Sequence, residues 1–357
     1  MKISKTIKLL PLLVSALFAN AAQANGVSVS IAPVKSVHSA TDQIFVKVTL
    51  TNTTNTAQYV LKYYTPFVEN EESLFDVTRD GVKVAYLGAH YKRPAPTAAD
   101  YFLLKPGKSY HQTVELSALY DMSITGDYRI TYQAASYNLF NTGSQGLALG
   151  KPTSGHLKSN DASFSVDGRL PRGYVAPTPQ QLAAQVLAGS LSFNRCTSAQ
   201  QADITTAMAN ARTYTTNSSN YLAAGVAGPR YTTWFGAYSA ANYSAVTSHY
   251  QAIGDALNNK PVTVDCGCKK TYFAYVYPNQ PYTIYVCKAF WTAPMTGTDS
   301  KAGTLIHELS HFTAVAGTDD FAYGHSAAKS LAISDPSKAI QNADSHEYFS
   351  ENTPFQN

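Results

Sequence analysis

The sequence predicts two folded domains, an all-β immunoglobulin-like sandwich over residues 25–172 and an α+β domain over residues 173–357. A length of 357 residues is typical of two domains. The first region alternates apolar and polar residues between short turns and holds no cysteine. The second region has helical patterns and all four cysteines, so the change of pattern marks a domain boundary.

The N-terminus has the features of a secretory signal peptide over residues 1–24. Three lysines within the first eight residues precede an apolar run from Leu9 to Ala19, and Ala22-Gln23-Ala24 fits a small-x-small cleavage site. The apolar run is too short for a stable membrane span. No later segment is apolar enough to cross a bilayer, so we expect an exported protein without a membrane span.

The region from about Val27 to Val166 is predicted to form short strands. The segments Ile44–Leu50 and Tyr128–Tyr132 alternate as half-buried strands do. Turn signals recur at Asn52–Asn55, Asp80-Gly81, Pro106-Gly107 and Thr125-Gly126. Short strands with regular turns favour the immunoglobulin-like sandwich. The following segment, Gly168–Pro179, is rich in proline, glycine and arginine and is interpreted as a linker with a cleavable basic site.

The second region is predicted to be mainly helical with one hairpin. A first helix begins at Thr178-Pro179, with threonine as the N-cap and proline in the first turn, and runs through Leu187. Further helices are predicted over Ser198–Thr213, Ser244–Leu257 and near Pro336–Phe349, and a hairpin over Tyr272–Tyr277 and Tyr282–Cys287.

The segment His307-Glu308-Leu309-Ser310-His311 is the most informative motif of the chain. Residues four apart lie on one face of a helix, so the two histidines can bind one metal ion. With Glu308 as a base and one open coordination position, the motif meets the needs of zinc-assisted hydrolysis. Apolar residues at helical spacing predict a buried helix: Leu305, Ile306, Leu309 and Phe312. The alternative is a core helix, in which these polar side chains would need partners to offset their desolvation.

A third metal ligand is expected because most catalytic zinc sites have three protein ligands. The metzincin pattern fails, since it requires a histidine where this chain has Gly317. Gly317 is instead predicted to end the helix and turn the chain back, which brings Asp319 and Asp320 near the metal. Spacing does not separate these two aspartates, and Glu347 and Glu351 are also candidates on distance along the chain.

The combined pattern from Gly303 to Gly324 resembles the aspzincins, the deuterolysin and peptidyl-Lys metalloendopeptidase family. Its distinctive part is His-Glu-x-x-His followed by Gly-Thr-x-Asp-x-x-Tyr-Gly. The resemblance implies a zincin-like catalytic domain with one Zn²⁺ per chain. It implies His307, His311 and Asp320 as zinc ligands, Glu308 as general base and Tyr323 as a donor to the oxyanion. The alternative for Tyr323 is a packing tyrosine.

Asp344 and Glu347 are predicted to lie on one helix face, because they are three residues apart. An acidic pair beside the cleft would attract a cationic side chain and confer specificity. In Lys-specific members of the resembled family, an Asp-x-x-Glu pair lines the pocket for the residue after the cut. We therefore expect cleavage on the N-terminal side of lysine, with arginine as a second candidate. The alternative is a solvated helix face.

The four cysteines, Cys196, Cys266, Cys268 and Cys287, predict two disulfides in an oxidising compartment. Cys266 and Cys268 are too close in sequence to pair easily, which leaves two connectivities. The family resemblance favours Cys196 with Cys266 and Cys268 with Cys287. A cysteine zinc site is the alternative, although the spacings match no known two-plus-two pattern.

The resemblance also implies a precursor, with the N-terminal sandwich as a propeptide that blocks the cleft until it is cleaved. A retained binding module is the alternative. The sandwich lacks cysteine, so latency cannot depend on a thiolate ligand to zinc. The hypothesis is that Tyr91-Lys92-Arg93-Pro94-Ala95-Pro96 is an occluding loop whose bases face the acidic cleft. An ordinary surface loop with solvated charges is the alternative.

The sequence thus predicts a secreted zinc endopeptidase, with protein or peptide substrates and its own propeptide as intramolecular inhibitor. The net charge of +4 is too small to indicate a nucleic-acid partner. The alternative is a secreted binding or adhesion protein with a structural metal site, which would have no use for Glu308. A virulence role and a nutritional role fit the sequence equally well.

Overall fold

The computed structural model describes residues 23–24, 26–39, 41–68, 72–141, 153–168, 170 and 190–357. The predicted signal peptide up to residue 22, most of the predicted linker and the predicted helix ending at Leu187 lie outside these residues. The boundary at residues 172 and 173 also lies outside them, so the domain limits stay predictions. Within the described residues, each helix is too short or too polar to cross a bilayer.

The N-terminal region is rich in β-structure, as its alternating pattern predicts. Its strands are β1 (Gln23–Ala24), β2 (Val27–Pro33), β3 (Val37–His38), β4 (Phe45–Asn52), β5 (Gln58–Leu61), β6 (Phe75–Arg79), β7 (Val82–Lys83), β8 (His90–Lys92), β9 (Tyr101–Leu104), β10 (Ser109–Glu115), β11 (Gly126–Phe140) and β12 (Thr153–Val166). Two short 3₁₀ helices, Lys62–Tyr64 and Ala98–Asp100, precede β6 and β9.

Two sheets share one apolar core in this region. The first has the order β1-β2-β4-β10, and the second has the order β3-β12-β11-β5-β9 with β6 and β7 attached through β11. Val29 and Val48 of the first sheet are fully buried in the same cluster as Ile130 and Leu157 of the second. The period-two alternation therefore directs one face of each sheet inward. The immunoglobulin-like assignment of this β-rich region stays a prediction.

The C-terminal region combines helices with short strands. Its elements are β13 (Leu191–Asn194), α1 (Ser198–Ala223), α2 (Pro229–Phe235), α3 (Ala240–Asn259), β14 (Val262–Asp265), β15 (Ala274–Val276), β16 (Thr283–Val286), α4 (Lys288–Thr292), α5 (Lys301–His311), α6 (His325–Ser334), α7 (Pro336–Ala339) and α8 (Ala343–Glu351). The predicted hairpin forms, since β15 pairs antiparallel with β16.

Several helices differ in length or number from the predictions. Helix α1 continues ten residues past Thr213, because small polar residues there, including Thr215 and Ser218, are buried against the rest of the domain. The predicted last helix is broken between α7 and α8. The side chain of Asn342 accepts hydrogen bonds from the backbone N–H groups of Phe321 and Ala322, at 2.9 and 3.0 Å, and so holds a loop at the break.

One sheet joins the two regions. Its strand order is β13-β14-β16-β15-β8, so its last strand comes from the N-terminal region. Strand β8 runs antiparallel to β15, with His90 opposite Val276 and Lys92 opposite Ala274. The predicted occluding loop therefore begins as a strand. An edge strand presents unpaired backbone groups, and β8 satisfies those of β15.

Both predicted disulfides are present, and both lie in the C-terminal region. Cys196 pairs with Cys266, which links the start of α1 to the end of β14. Cys268 pairs with Cys287, which links the next loop to the end of β16. This is the pairing that the family resemblance implies. The two cross-links hold the small sheet that lies beside α5.

Candidate active site

Helix α5 places His307 and His311 on one buried face. The helix begins after Ser300, whose hydroxyl accepts a hydrogen bond from the N–H of Gly303 at 2.9 Å. The two histidines are four residues apart, and their Nε2 atoms lie 3.1 Å from each other. Both side chains are almost completely buried. The helical repeat is sufficient to bring these two nitrogens together.

The helix ends earlier than Gly317, where the sequence predicted its end. It stops at His311, and the next residues leave the helical path because the N–H of Thr313 donates to the carbonyl of Pro278 at 3.1 Å. Gly317 still turns the chain, with φ of 60°, but it does so within the loop. A tertiary hydrogen bond therefore decides where the helix ends.

The loop after Gly317 places Asp320, and not Asp319, beside the histidines. The Oδ1 atom of Asp320 lies 3.4 Å from Nε2 of His307, and its Oδ2 atom lies 3.5 Å from Nε2 of His311. Asp319 is half exposed and directs Oδ1 toward Nδ1 of His90, 3.3 Å away. Of the two aspartates that spacing left open, Asp320 is therefore the one that contacts both histidines.

The group His307, His311 and Asp320 fits a tetrahedral Zn²⁺ site. The two Nε2 atoms lie 3.1 Å apart, and each lies 3.4–3.5 Å from a different carboxylate oxygen of Asp320. Tetrahedral bonds of about 2.0–2.2 Å place ligand atoms about 3.3–3.6 Å apart. Both carboxylate oxygens of Asp320 are buried without a hydrogen-bond partner among the described residues. A buried carboxylate without a partner is costly, and a cation among these three ligands would offset that cost.

Both histidines have their second ring nitrogen directed at an oxygen. Nδ1 of His311 lies 2.9 Å from the carbonyl of Thr318. Nδ1 of His307 lies 3.0 Å from Oδ1 of Asp344 and 3.4 Å from Oε2 of Glu347. Such partners orient a ligating imidazole and leave Nε2 for the metal. Asp344, which the sequence assigns to the substrate pocket alone, therefore also lies against the imidazole of His307.

Glu308 is fully buried, and neither of its carboxylate oxygens has a hydrogen-bond partner among the described residues. Burial raises the pKa of Glu308 to about 8, and the nearby charges of His307 and Lys92 oppose that rise. A carboxyl group that titrates near neutrality suits proton transfer to and from a reacting group.

Tyr323 is buried between the two regions, and its hydroxyl contacts residues of the N-terminal region. The hydroxyl oxygen lies 3.2 Å from Oε1 of Glu72 and 3.4 Å from the carbonyl oxygen of Tyr91. Its ring also packs edge-to-face on Tyr63, with centroids 6.0 Å apart. Tyr323 therefore packs in the core, as the alternative expected, and its role as a donor to the oxyanion stays a prediction. Glu72 was missed by sequence analysis, because no motif marks it.

Lys92 lies in the acidic pocket that the sequence predicted. Its Nζ atom is 2.5 Å from Oε2 of Glu347, 3.6 Å from Oδ1 of Asp299 and 3.9 Å from Oδ1 of Asp344. Burial opposes the charge of Lys92, but Glu347, Asp344 and Asp299 raise its pKa, so it stays an ammonium. Lys92 is 0% exposed and Arg93 5%. The alternative of solvated charges in this segment is therefore wrong.

His90 is a further residue that sequence analysis did not identify. It can offer a ring nitrogen within 4.8 Å of ligand atoms of His311 and Asp320. Its ring centroid lies 4.9 Å from that of His311. A cavity of about 650 Å³ at this side of the site is lined by residues of both regions, among them Glu72, His90, His311 and Asp320. The cavity is large enough to admit water to the site.

Comparisons with known proteins identify relatives of this chain. The aspzincin family model, described as lysine-specific metallo-endopeptidase, matches residues 220–351. An extracellular protease of Aeromonas hydrophila is 47% identical over 323 residues, which cover 90% of this chain and 91% of that protein. A peptidyl-Lys metalloendopeptidase of Grifola frondosa is 40% identical over 279 residues, covering 77% and 76% of the two chains. A solved zinc peptidase from Grifola frondosa is 51% identical, with a TM-score of 0.44, over 45% of this chain and 100% of that one.

Proposed function

The chain belongs to the aspzincin family of metallo-endopeptidases, and on that premise we propose a secreted zinc enzyme that cuts on the N-terminal side of lysine and is made as a latent precursor. The observation that carries the proposal is the buried group of His307, His311 and Asp320 beside the unpartnered carboxyl of Glu308. That arrangement combines a metal site with a base in one cleft.

The proposed mechanism assigns one role to each side chain. Zn²⁺ held by His307, His311 and Asp320 would supply a Lewis acid that polarises the peptide carbonyl and acidifies water. Glu308 accepts the proton of the attacking water and delivers it to the leaving nitrogen. The hydroxyl of Tyr323 donates a hydrogen bond to the carbonyl oxygen as negative charge develops there.

The proposed lysine specificity depends on the pocket that Lys92 occupies. Glu347 lies within hydrogen-bond distance of the ammonium, while Asp299 and Asp344 add negative charge within 4 Å. A substrate lysine in the same place would meet the same groups. An extended substrate would pair with the edge of β15 as β8 does, which is a common mode of peptide recognition. Arginine remains a second candidate for this pocket.

The proposed latency follows from the same contacts. Strand β8 covers the edge of β15, and Lys92 fills the pocket beside Glu347. A substrate needs both the edge of β15 and the pocket beside Glu347. The β-rich region, which is predicted to be immunoglobulin-like, would therefore act as a propeptide. Cleavage in the linker Gly168–Pro179 would release it. The predicted signal peptide over residues 1–24 and the two disulfides support export. The extracellular location of the Aeromonas relative supports it also.

The test is a comparison of the precursor with its Glu308→Gln variant after limited proteolysis of the linker. We expect the wild-type protein to cut a defined peptide library and to produce new N-termini that begin with lysine. The variant should retain one equivalent of zinc and cut nothing. Well-folded protein without stoichiometric metal would contradict the zinc site, and cuts without lysine enrichment would contradict the pocket. A binding protein with a structural metal site would cut nothing in either form.

A further inference from the structure

We propose that the Tyr91–Lys92 peptide bond lies in the precursor's own active site as a substrate does, and that Glu72 keeps this bond uncut by accepting the hydrogen bond that the hydroxyl of Tyr323 donates. The inference rests on the proposed function. It goes beyond occlusion of the cleft, because it makes a specific bond of the propeptide a latent self-cleavage site and assigns the restraint to one carboxylate.

The register of β8 places that bond correctly. The strand runs antiparallel to β15, and the carbonyl of Lys92 accepts a hydrogen bond from the N–H of Phe273 at 3.1 Å. Side chains alternate along β8, so His90 and Lys92 are buried toward the site while Tyr91 is half-buried on the other face. With Lys92 in the pocket for the residue after the cut, the bond that precedes it is Tyr91–Lys92.

The carbonyl of Tyr91 faces a catalytic donor. Its oxygen lies 3.4 Å from the hydroxyl of Tyr323, which is the group proposed to stabilise the oxyanion. The cavity lined by Glu72, His90, His311 and Asp320 gives water a route to the site beside this bond. The contact of Lys92 with the pocket and the contact of the Tyr91 carbonyl with Tyr323 therefore indicate the same peptide bond.

Glu72 competes with that carbonyl for a single proton. A tyrosine hydroxyl donates one hydrogen bond, and Tyr323 has two acceptors, Glu72 at 3.2 Å and Tyr91 at 3.4 Å. A carboxylate is a stronger acceptor than an amide carbonyl. Arg93 fixes this carboxylate with two hydrogen bonds of 2.9 and 3.1 Å. In the precursor the proton of Tyr323 is thus committed to Glu72, which leaves the bound carbonyl without its donor.

Departure of the propeptide removes this restraint together with the inhibitor. Glu72 and Arg93 both belong to the β-rich region, so an external substrate meets Tyr323 with its proton available. The guanidinium of Arg93 is itself held 4.4 Å from the ring of Tyr63 and 4.8 Å from that of Tyr91. These contacts keep the Glu72 carboxylate in place for as long as β8 stays bound.

The latent reaction is an ordinary hydrolysis that consumes one water. The water oxygen bonds to the carbonyl carbon of Tyr91, and Glu308 accepts the proton. The bond from that carbon to the nitrogen of Lys92 breaks as Glu308 returns the proton to the nitrogen. The products are a new carboxylate at Tyr91 and a new amino terminus at Lys92.

The experiment compares zinc-loaded full-length precursors by intact mass and N-terminal sequencing over time. We expect Glu72→Gln to yield a fragment that begins at Lys92, at a rate at least about tenfold above the wild type, since one oxyanion donor contributes on the order of 10²–10³ in rate. The double variant Glu72→Gln, Glu308→Gln should stay intact. Glu115→Gln, a partly exposed carboxylate of the same region, is the matched control and should behave as the wild type.

A second variant controls for misfolding, because Glu72→Gln leaves the buried Arg93 without its carboxylate partner. Glu72→Leu combined with Arg93→Met removes both buried charges together and should also release the Lys92 fragment. If both Glu72 variants stay intact while a Lys92→Ala precursor cuts an added lysyl peptide, the inference is overturned and the proposed function stands. A fragment that also forms in the Glu308→Gln background overturns the inference as well. If every form leaves the added peptide intact, the proposed function fails and the inference fails with it.

Discussion

The ammonium of Lys92 lies 2.5 Å from the carboxylate of Glu347, although 255 residues separate them in the chain. Both side chains are fully buried. A buried ion pair contributes specificity more than stability, but the removal of one partner leaves an uncompensated charge. This contact joins the β-rich region to the pocket of the enzyme, and it makes each partner testable by itself.

Lys92→Ala should raise the activity of the intact precursor on an added lysyl peptide at least about tenfold. Breaking a buried pair costs about 3–5 kcal/mol, so the variant β8 binds β15 more weakly and leaves the pocket open. The initial rate of hydrolysis of a fluorogenic peptide measures the effect. Lys108→Ala, which alters an exposed lysine of the same region, is the control. Unchanged latency in the Lys92 variant would contradict the role of this residue.

Glu347→Gln should lower kcat/KM of the activated enzyme for lysyl peptides by about 30-fold or more, because loss of one partner of a buried, hydrogen-bonded charge pair costs about 2–5 kcal/mol. Steady-state kinetics on matched peptides measure the change. Glu351→Gln is the control. Glu351 lies one turn further along α8, and its carboxylate accepts a hydrogen bond from the N–H of Ser300 instead of facing the pocket. Equal effects of the two substitutions would argue against a specific pocket role.

Asp344→Asn should weaken zinc binding by about 10- to 100-fold, the usual effect of losing a carboxylate that orients a ligating histidine. The physical reason is the 3.0 Å approach of Asp344 to Nδ1 of His307. Competition with a chromogenic chelator measures the affinity. Glu347→Gln should retain much more of the zinc affinity, because Glu347 lies further from the imidazole, at 3.4 Å. An unaltered affinity in the Asp344 variant would remove this residue from metal support.

His346 should make the folded protein less stable as the pH falls. Burial lowers the pKa of His346 to about 3, whereas a histidine in the unfolded chain titrates near about 6.5. Between these values the unfolded chain binds the proton first, so the contribution of this group to the free energy of unfolding is present above pH 6.5 and declines below it. The loss is at most about 1.4 kcal/mol per pH unit.

Urea unfolding of the wild type and of His346→Gln at pH 7 and pH 5 measures this decline. We expect the stability difference between the two proteins to shift against the wild type at the lower pH. Protonation of the zinc ligands affects both proteins and cancels in the difference. Parallel pH dependence in the two proteins would show that His346 is not the group responsible.

Local patterns were sufficient to predict much of the proposed catalytic site. The spacing of His307 and His311 brings their nitrogens together in any regular helix, so the motif predicts the pair without tertiary information. The family resemblance predicted Asp320 as the third ligand, whereas spacing alone did not distinguish it from Asp319. Even so, the sequence misplaced the end of the helix, because the hydrogen bond from Thr313 to Pro278 is a contact between distant segments.

The last predicted helix failed for a related reason. Its helical pattern continues from Pro336 to Phe349, but Asn342 lies in the middle of this segment. The side chain of Asn342 accepts hydrogen bonds from the backbone of the loop that contains Asp320. Asparagine side chains compete with helical hydrogen bonds when a backbone partner is near. Whether such a backbone partner is near depends on the tertiary structure, which the helical periodicity of this segment does not predict.

The sequence by itself determined the metal motif, the base, the cysteines available for two disulfides and the basic segment opposite an acidic pocket, because each depends on residue type and on spacing along one element. Only the tertiary structure decided that Lys92 enters the pocket on a strand added to β15, and that Glu72 reaches Tyr323. Those contacts join residues some 250 positions apart. Their energies come from burial and charge pairing across an interface, which the local order of residues does not encode.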